Sequence, residues 1–289
     1  MLMSILVEDF RQLLPFICDK ETSLATDGWS ADNPLQGHCA VVSLVAQNLF
    51  GGDLLRASLE NTVFSAMRSH YWNKLPDGSE VDFTKPQFKD VVLSLEGAVR
   101  ERSYVLSFPE TKSRYQKLAL RLAKQVQPQD IVDDKIYEAC FYAALDSPCQ
   151  KLRFGCVAVR NGEIVADGCN KTIEPLKHLC EPACIRVGIQ SRTESMIGAC
   201  GHAEEFVIYS LVKKSIPLNG CDFFVAGVFP NGLPIPEDNT DYSCLRCGVQ
   251  MYDAGVRSVA GPMNGVWVPL PMEQALKSAV AYALKQKKA

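Results

Sequence analysis

The chain reads as α/β in two parts, a three-layer α/β/α domain with a mixed sheet over residues 128–289 and a smaller α+β domain over residues 1–127 before it. Three observations predict this. Past residue 130 the hydrophobic periodicity runs helix, hairpin, helix, strand, helix, strand, helix, an order that builds a mixed sheet flanked by helices. Asn161-Gly162 separates two apolar runs, the strongest short-range hairpin signal. The breaker cluster Gln127-Pro128-Gln129-Asp130 lies between the two parts, each long enough to bury its own core.

In the first part, residues 35–46 open a helix that Phe50-Gly51-Gly52 stops. Residues 69–75 form a strand, Pro76-Asp77-Gly78 a turn and residues 80–84 a second strand; a three-residue loop ending in Gly suits a type I turn with a bulge. With Leu75 opposite Ser79, His70 and Asp82 become diagonal neighbours on one face. Residues 110–126 place Leu118, Leu120, Leu122 and Ala123 among many Lys and Arg, as an amphipathic helix closing the part.

In the second part, residues 134–145 are a helix, and 154–160 with 163–168 are the hairpin. A helix over 200–214 carries His202 and Glu204 in its first turn, and 223–228 is a buried strand. A helix over 244–254 opens with two cysteines, a strand follows over 256–261, and Met272–Gln286 is the last helix.

Composition narrows the function. Apolar residues make up 47% and charged residues 22%, as in a soluble globular protein, and no apolar run is long enough to cross a bilayer. The net charge is −3, shared between the parts at close to −1 and −2. That balance favours a small substrate over nucleic acid, whose binders are usually basic. The N-terminus has no basic region ahead of its apolar residues, so it is not a secretory signal and a cytoplasmic location is expected. The 12 cysteines then read as reduced thiols, two of them on metal.

The chemistry concentrates in His202-Ala203-Glu204 and Cys244-Leu245-Arg246-Cys247. One imidazole and two thiolates can hold a zinc ion and leave a fourth position open to water, the mark of a catalytic site. Both segments open helices, where the backbone dipole favours thiolate. Glu204 is left as the carboxylate that moves protons beside the ion rather than ligating it. His-x-Glu followed by Cys-x-x-Cys is the signature of zinc deaminases, which gives the expectation of a hydrolytic deaminase.

With those motifs after an Asn-Gly hairpin, the second part resembles the cytidine deaminase-like superfamily. The resemblance implies that Ala203 offers its backbone amide, and Asn170 its side chain, to the substrate. It also implies that the protein assembles as a homo-oligomer. Ser243 departs from the family, which usually has Pro before the first cysteine, and so leaves the substrate contacts on that side open. The insertion over 174–199 resembles that of deoxycytidylate deaminases, some of which carry an additional zinc there. Its His178, Cys180 and Cys184, with Cys200, permit a second metal or pack as reduced thiols. Arg192 is a candidate phosphate ligand, or else a solvated cation. A cytosine-type nucleobase, nucleoside or nucleotide, of the deoxycytidylate kind first, is thus the expected substrate. The alternative is a base within tRNA or single-stranded nucleic acid, although no basic aromatic groove is evident.

The first part holds a second pattern. Cys39 at a helix start, His70 on one strand and Asp82 on the next follow the order of a thiol nucleophile, its base and the orienting acid, with Gln36 placed to donate to an oxyanion. The arrangement resembles papain-like and transglutaminase-like enzymes. The wording around it, Gln-Gly-His-Cys-Ala-Val with His-Tyr-Trp-Asn and Leu-Pro-Asp-Gly, resembles the YunG-like family, a resemblance that implies no activity. The competing reading is a buried cysteine and a packed histidine. A silent zinc module, with amidase, peptidase or transferase chemistry at Cys39, is the alternative from another functional class.

Overall fold

The computed structural model describes residues 5–189, 198–236 and 243–286. The chain divides into two compact units, Met1–Val126 and Gln127–Ala289. The first contains α1 (Val7–Ile17), α2 (Cys39–Phe50), β1 (Asp53–Ser58), β2 (Ser69–Lys74), β3 (Glu80–Val81), β4 (Ala98–Val99), α3 (Arg102–Leu106) and α4 (Pro109–Val126). Its strands form an antiparallel sheet in the order β3-β2-β1-β4. α2 buries Val41, Val42, Leu44, Val45 and Ala46, too wide an apolar surface for a solvated helix, and is a core element. It starts at Cys39, later than the residue pattern suggests, because Leu35 and His38 close a turn through their backbones. Gly51 ends it with a φ of 75°, which a side chain would resist. The second strand of the hairpin is cut short at Val81. Asp82 Oδ1 accepts from the Thr84 N–H at 3.0 Å and turns the chain away from the sheet.

The second unit contains α5 (Lys135–Leu145), β5 (Arg153–Arg160), β6 (Glu163–Cys169), β7 (Lys171–Thr172), β8 (Cys200–Gly201), α6 (Ala203–Lys213), β9 (Asp222–Val228), α7 (Leu245–Asp253), β10 (Ser258–Met263), β11 (Val266–Pro271) and α8 (Met272–Gln286). Its main sheet runs β11-β10-β9-β5-β6, with β9 and β10 parallel and the other pairs antiparallel. The hairpin forms at Asn161-Gly162, whose φ values of 54° and 82° are those a type I′ turn requires. Side chains alternate across β5. Cys156 and Ala158 point into a core with Ala203 and Val207 of α6, Met251 of α7 and Met272 and Ala275 of α8. Gly155 faces the other way, against α5. The sheet is therefore covered on both sides, as a mixed α/β/α sandwich.

Two details differ from the periodicity. Cys200-Gly201 pairs with Lys171-Thr172 as an extended ladder, so α6 begins only at Ala203. β11 carries Pro269 and Pro271, tolerated because it lies at the sheet edge. Among the described residues no helix is long and apolar enough to cross a membrane.

The α5–β5 contact yields a stability prediction. A Cβ on Gly155 would lie 1.9 Å from the Cys140 carbonyl oxygen and 2.6 Å from the Ala144 nitrogen, both backbone atoms. Gly155→Ala is expected to cost about 2 kcal/mol in urea unfolding, since the helix must move off the sheet. An unchanged midpoint would mean the helix can shift freely.

Candidate metal centre and active site

Two helix starts build the site in the second unit. His202 is the N-cap of α6 and Cys244 the N-cap of α7, with Cys247 in the first turn of α7. His202 Nδ1 lies 3.2 Å from Cys244 Sγ and 3.3 Å from Cys247 Sγ. The three donor atoms all lie within 4.8 Å of one another, and this is the one such group of His, Cys, Asp or Glu among the described residues. A tetrahedral zinc with Zn–S near 2.3 Å and Zn–N near 2.0 Å would hold nitrogen and sulfur about 3.5 Å apart. The donors stand within a few tenths of an ångström of that spacing, so donor set and geometry both fit the ion.

The thiols are prepared unequally. Cys244 accepts hydrogen bonds from Cys247 and His202 and is driven down to about 3, against the opposing effect of its burial. Sharing that charge with Cys244, together with burial, pushes Cys247 well above the ordinary thiol range. Burial lowers His202, but Cys244 and Glu204 together outweigh it and raise the imidazole.

Glu204, in the first turn of α6, is 5% exposed and lies within electrostatic reach of all three donors. Burial raises its carboxyl above the usual range, offset in part by His202. Ser243 Oγ donates to Glu204 Oε1 at 3.2 Å. The residue that departs from the family pattern thus supplies a hydrogen bond that a proline could not.

Glu205, which the motif reading passed over, ties the two ligand helices together. It accepts from the His202 N–H at 2.8 Å, from Arg246 Nη2 at 2.7 Å and from Gln250 Nε2 at 3.1 Å. Its sequence signal is a carboxylate three residues after the N-cap. Glu205→Ala is expected to weaken zinc binding by about 10- to 100-fold, as loss of a partner that orients ligands does. Competition with a chromophoric chelator measures this, and an unchanged affinity would assign Glu205 to folding alone.

The remaining expected residues fall as follows. Ala203, fully buried, heads α6, where its N–H has no partner within the helix. Asn170 is engaged by the frame: Oδ1 accepts from the Phe154 N–H at 2.7 Å and Ser147 Oγ at 2.8 Å, and Nδ2 donates to the Leu152 carbonyl at 2.9 Å. Arg192 lies outside the described residues. His178 is exposed in the turn Glu174–Cys180. Cys200 instead meets Cys180, Cys149 and Cys184, and burial with these neighbours raises its thiol to about 12. Cys149 is a member of this thiol group that the spacing did not suggest.

Residues 130–261 match the family model described as the cytidine and deoxycytidylate deaminase zinc-binding region. The second half is a cytidine deaminase-like domain. Residues 6–127 match the YunG protein family, so the deaminase-like domain is fused behind a YunG-like one. ComE operon protein 2 of Bacillus subtilis (strain 168) is 25% identical over 116 residues, 40% of this chain and 51% of the relative. The chain thus spans about half the length of that curated relative. Among solved structures, the deaminase-like chain is similar to cytidine deaminase from Burkholderia pseudomallei, with 16% identity and a TM-score of 0.34 over 50% of this chain and 96% of that one. It is also similar to dCMP deaminase from the cyanophage S-TIM5, with 21% identity and a TM-score of 0.26 over 59% and 93%.

In the YunG-like unit, His70 Nε2 and Asp82 Oδ2 are 2.7 Å apart; Cys39 Sγ lies 4.0 Å from the Ser69 carbonyl oxygen and within electrostatic reach of the His70 ring. Gln36 sits in the turn before Cys39, its Oε1 held by Asn33 Nδ2 at 2.9 Å and its Nε2 facing Met67 Sδ at 3.9 Å.

Proposed function

We propose that the chain is a zinc-dependent hydrolytic deaminase acting on the exocyclic amine of a cytosine-type nucleobase, nucleoside or nucleotide, deoxycytidylate-type nucleotides first. The observation that supports this best is the buried Glu204 set beside, but outside, a His202–Cys244–Cys247 group of zinc-binding chemistry. Those three residues would hold the ion, which supplies a Lewis acid and lowers the pKa of water. Glu204 takes the proton released when water adds to the amino-bearing carbon, delivers it to the ring nitrogen, and then transfers a proton to the departing ammonia. Its raised pKa suits a group that must hold the proton as well as release it. The Ala203 N–H at the start of α6 donates to the substrate carbonyl, and Asn170, held by Phe154 and Leu152, offers its side chain to the substrate.

In this proposal residues 128–289 form the catalytic domain and 1–127 the YunG-like domain, in a cytoplasmic protein. His178, Cys180, Cys184 and Cys200 either take a second ion or pack as reduced thiols, and metal analysis that returns one zinc per chain selects the thiols. Arg192 contacts a substrate phosphate, and the domain works as a homo-oligomer. Ammonia release measured over cytosine, cytidine, deoxycytidine, dCMP, purine counterparts, tRNA and single-stranded DNA tests the reading. Turnover of a cytosine-type monomer is expected. Release from the nucleic acids alone would replace it with base editing, and release from none would overturn it.

A further inference from the structure

Cys39, His70 and Asp82 converge from three segments of the YunG-like unit, and no step of the deaminase proposal uses them. His70 is 1% exposed, and its ring stands edge-on to Phe88 at 4.8 Å and stacks on Trp72 at 5.8 Å. Asp82 Oδ2 accepts from Nε2–H, and the Cys39 thiol interacts with the same ring. Gln87 fixes the ring from the other side. Its Nε2 lies 3.3 Å from Nδ1, while its Oε1 accepts from the Gly37 N–H at 3.3 Å in the turn that leads into Cys39. A packed histidine has no need of this bracing at both ring nitrogens.

Two further features point to a substrate. Cys39 opens α2, and its N-cap His38 makes no side-chain cap hydrogen bond, so the first N–H groups of the helix are available to an oxyanion beside the thiol. Gln36 Nε2 faces the Met67 thioether, a weak acceptor, and its N–H can serve the same charge. A cavity of about 200 Å³, which reaches the His70–Asp82 pair but not Cys39 itself, is walled by Trp72, Phe88, Val91 and Leu95. Such walls suit a branched or aromatic side chain.

We propose that the YunG-like unit carries a second catalytic centre, in which Cys39 is the nucleophile, His70 the acid and base and Asp82 the orienting group, for acyl transfer from amides or esters with an apolar acyl side chain. Cys39 Sγ, its proton already held on His70, bonds as thiolate to the carbonyl carbon. The C–N or C–O bond then breaks, and His70 hands that proton to the departing amine or alcohol. Water next adds to the thioester, releasing the carboxylic acid and restoring the thiol. Thiol, imidazole and water balance both steps, and no oxidant or further reactant is needed.

The test uses the full-length chain with p-nitrophenyl acetate and p-nitrophenyl phenylacetate, each rate divided by that with N-acetylcysteine. Nitrophenolate release and peptide mass mapping are read together. The expected result is one acyl group on Cys39, with the phenylacetyl ester favoured at least about 10-fold by the cavity. Cys39→Ser abolishes the adduct, and His70→Ala slows its formation by about 100-fold or more. Acylation absent from Cys39, or spread equally over other cysteines, overturns the proposal. So does an undiminished rate in His70→Ala. Should that variant fail to fold, the adduct position in the wild-type chain and in Cys39→Ser still decides.

Discussion

Glu204→Gln is expected to lower deamination by about 10³-fold or more while zinc content stays at the wild-type level. The carboxylate carries a proton twice in the proposed reaction, and an amide of the same shape cannot do so; general acid–base groups contribute about 10²- to 10⁴-fold. The loss should sit near the top of that range, because Glu204 is buried and, among the described residues, Ser243 is the side chain that hydrogen-bonds it. Zinc binding should persist, since His202, Cys244 and Cys247 form the donor group without Glu204. Initial ammonia-release rates and metal analysis on the same preparation make the measurement. Full activity with bound zinc would remove Glu204 from the chemistry, whereas loss of zinc with activity would make it part of the metal-holding frame.

How legible these features were in the sequence depends on how local their causes are. His202, Glu204, Cys244 and Cys247 could be picked out because ligand spacing is a property of one helix turn, and each turn needs only its own residues to form. The hairpin at Asn161-Gly162 was equally plain, since two left-handed φ values leave little alternative to that dipeptide. β11 was hidden because Pro269 and Pro271 argue against a strand until the sheet edge is known. β1, central in the first sheet, alternates too weakly in Asp-Leu-Leu-Arg-Ala-Ser to stand out.

The polar connections were the hardest to foresee. Gln87 reaches His70 and Gly37, and Cys149 reaches Cys200, across long sequence separations that no local period records. Asn170 shows the converse limit. Its position suggests a substrate contact, and its amide is also held by Ser147, Leu152 and Phe154, groups that a motif cannot display. Glu205 could have been found, because a carboxylate at the third residue after an N-cap is a local signal. Glu204 beside it simply had the more conspicuous chemistry.

The stability of the YunG-like unit is expected to fall by about 3 kcal/mol as pH rises from about 6.5 to about 9, and Asp82→Asn should remove most of that slope. Burial alone would depress His70, but the Asp82 hydrogen bond and Cys39 outweigh it and carry the imidazole up to about 9 from an ordinary 6.5. A base whose pKa is raised by folding binds its proton more tightly in the folded state. Its stabilisation is complete below 6.5 and is lost as pH climbs through the folded value. A difference of some 2.5 pKa units at about 1.4 kcal/mol each gives the stated magnitude. The groups facing the ring are Asp82, Cys39 and Gln87, with Glu80 and Lys85 further along the same cavity. Subtracting the Asp82→Asn unfolding curve at each pH isolates the His70–Asp82 pair from other ionisations. If the two proteins lose stability in parallel, the ring is neutral in the folded chain and Asp82 only packs against it. If the curves diverge below pH 9, His70 holds its proton at neutrality, as an acid poised beside a thiol must before it can protonate a leaving group.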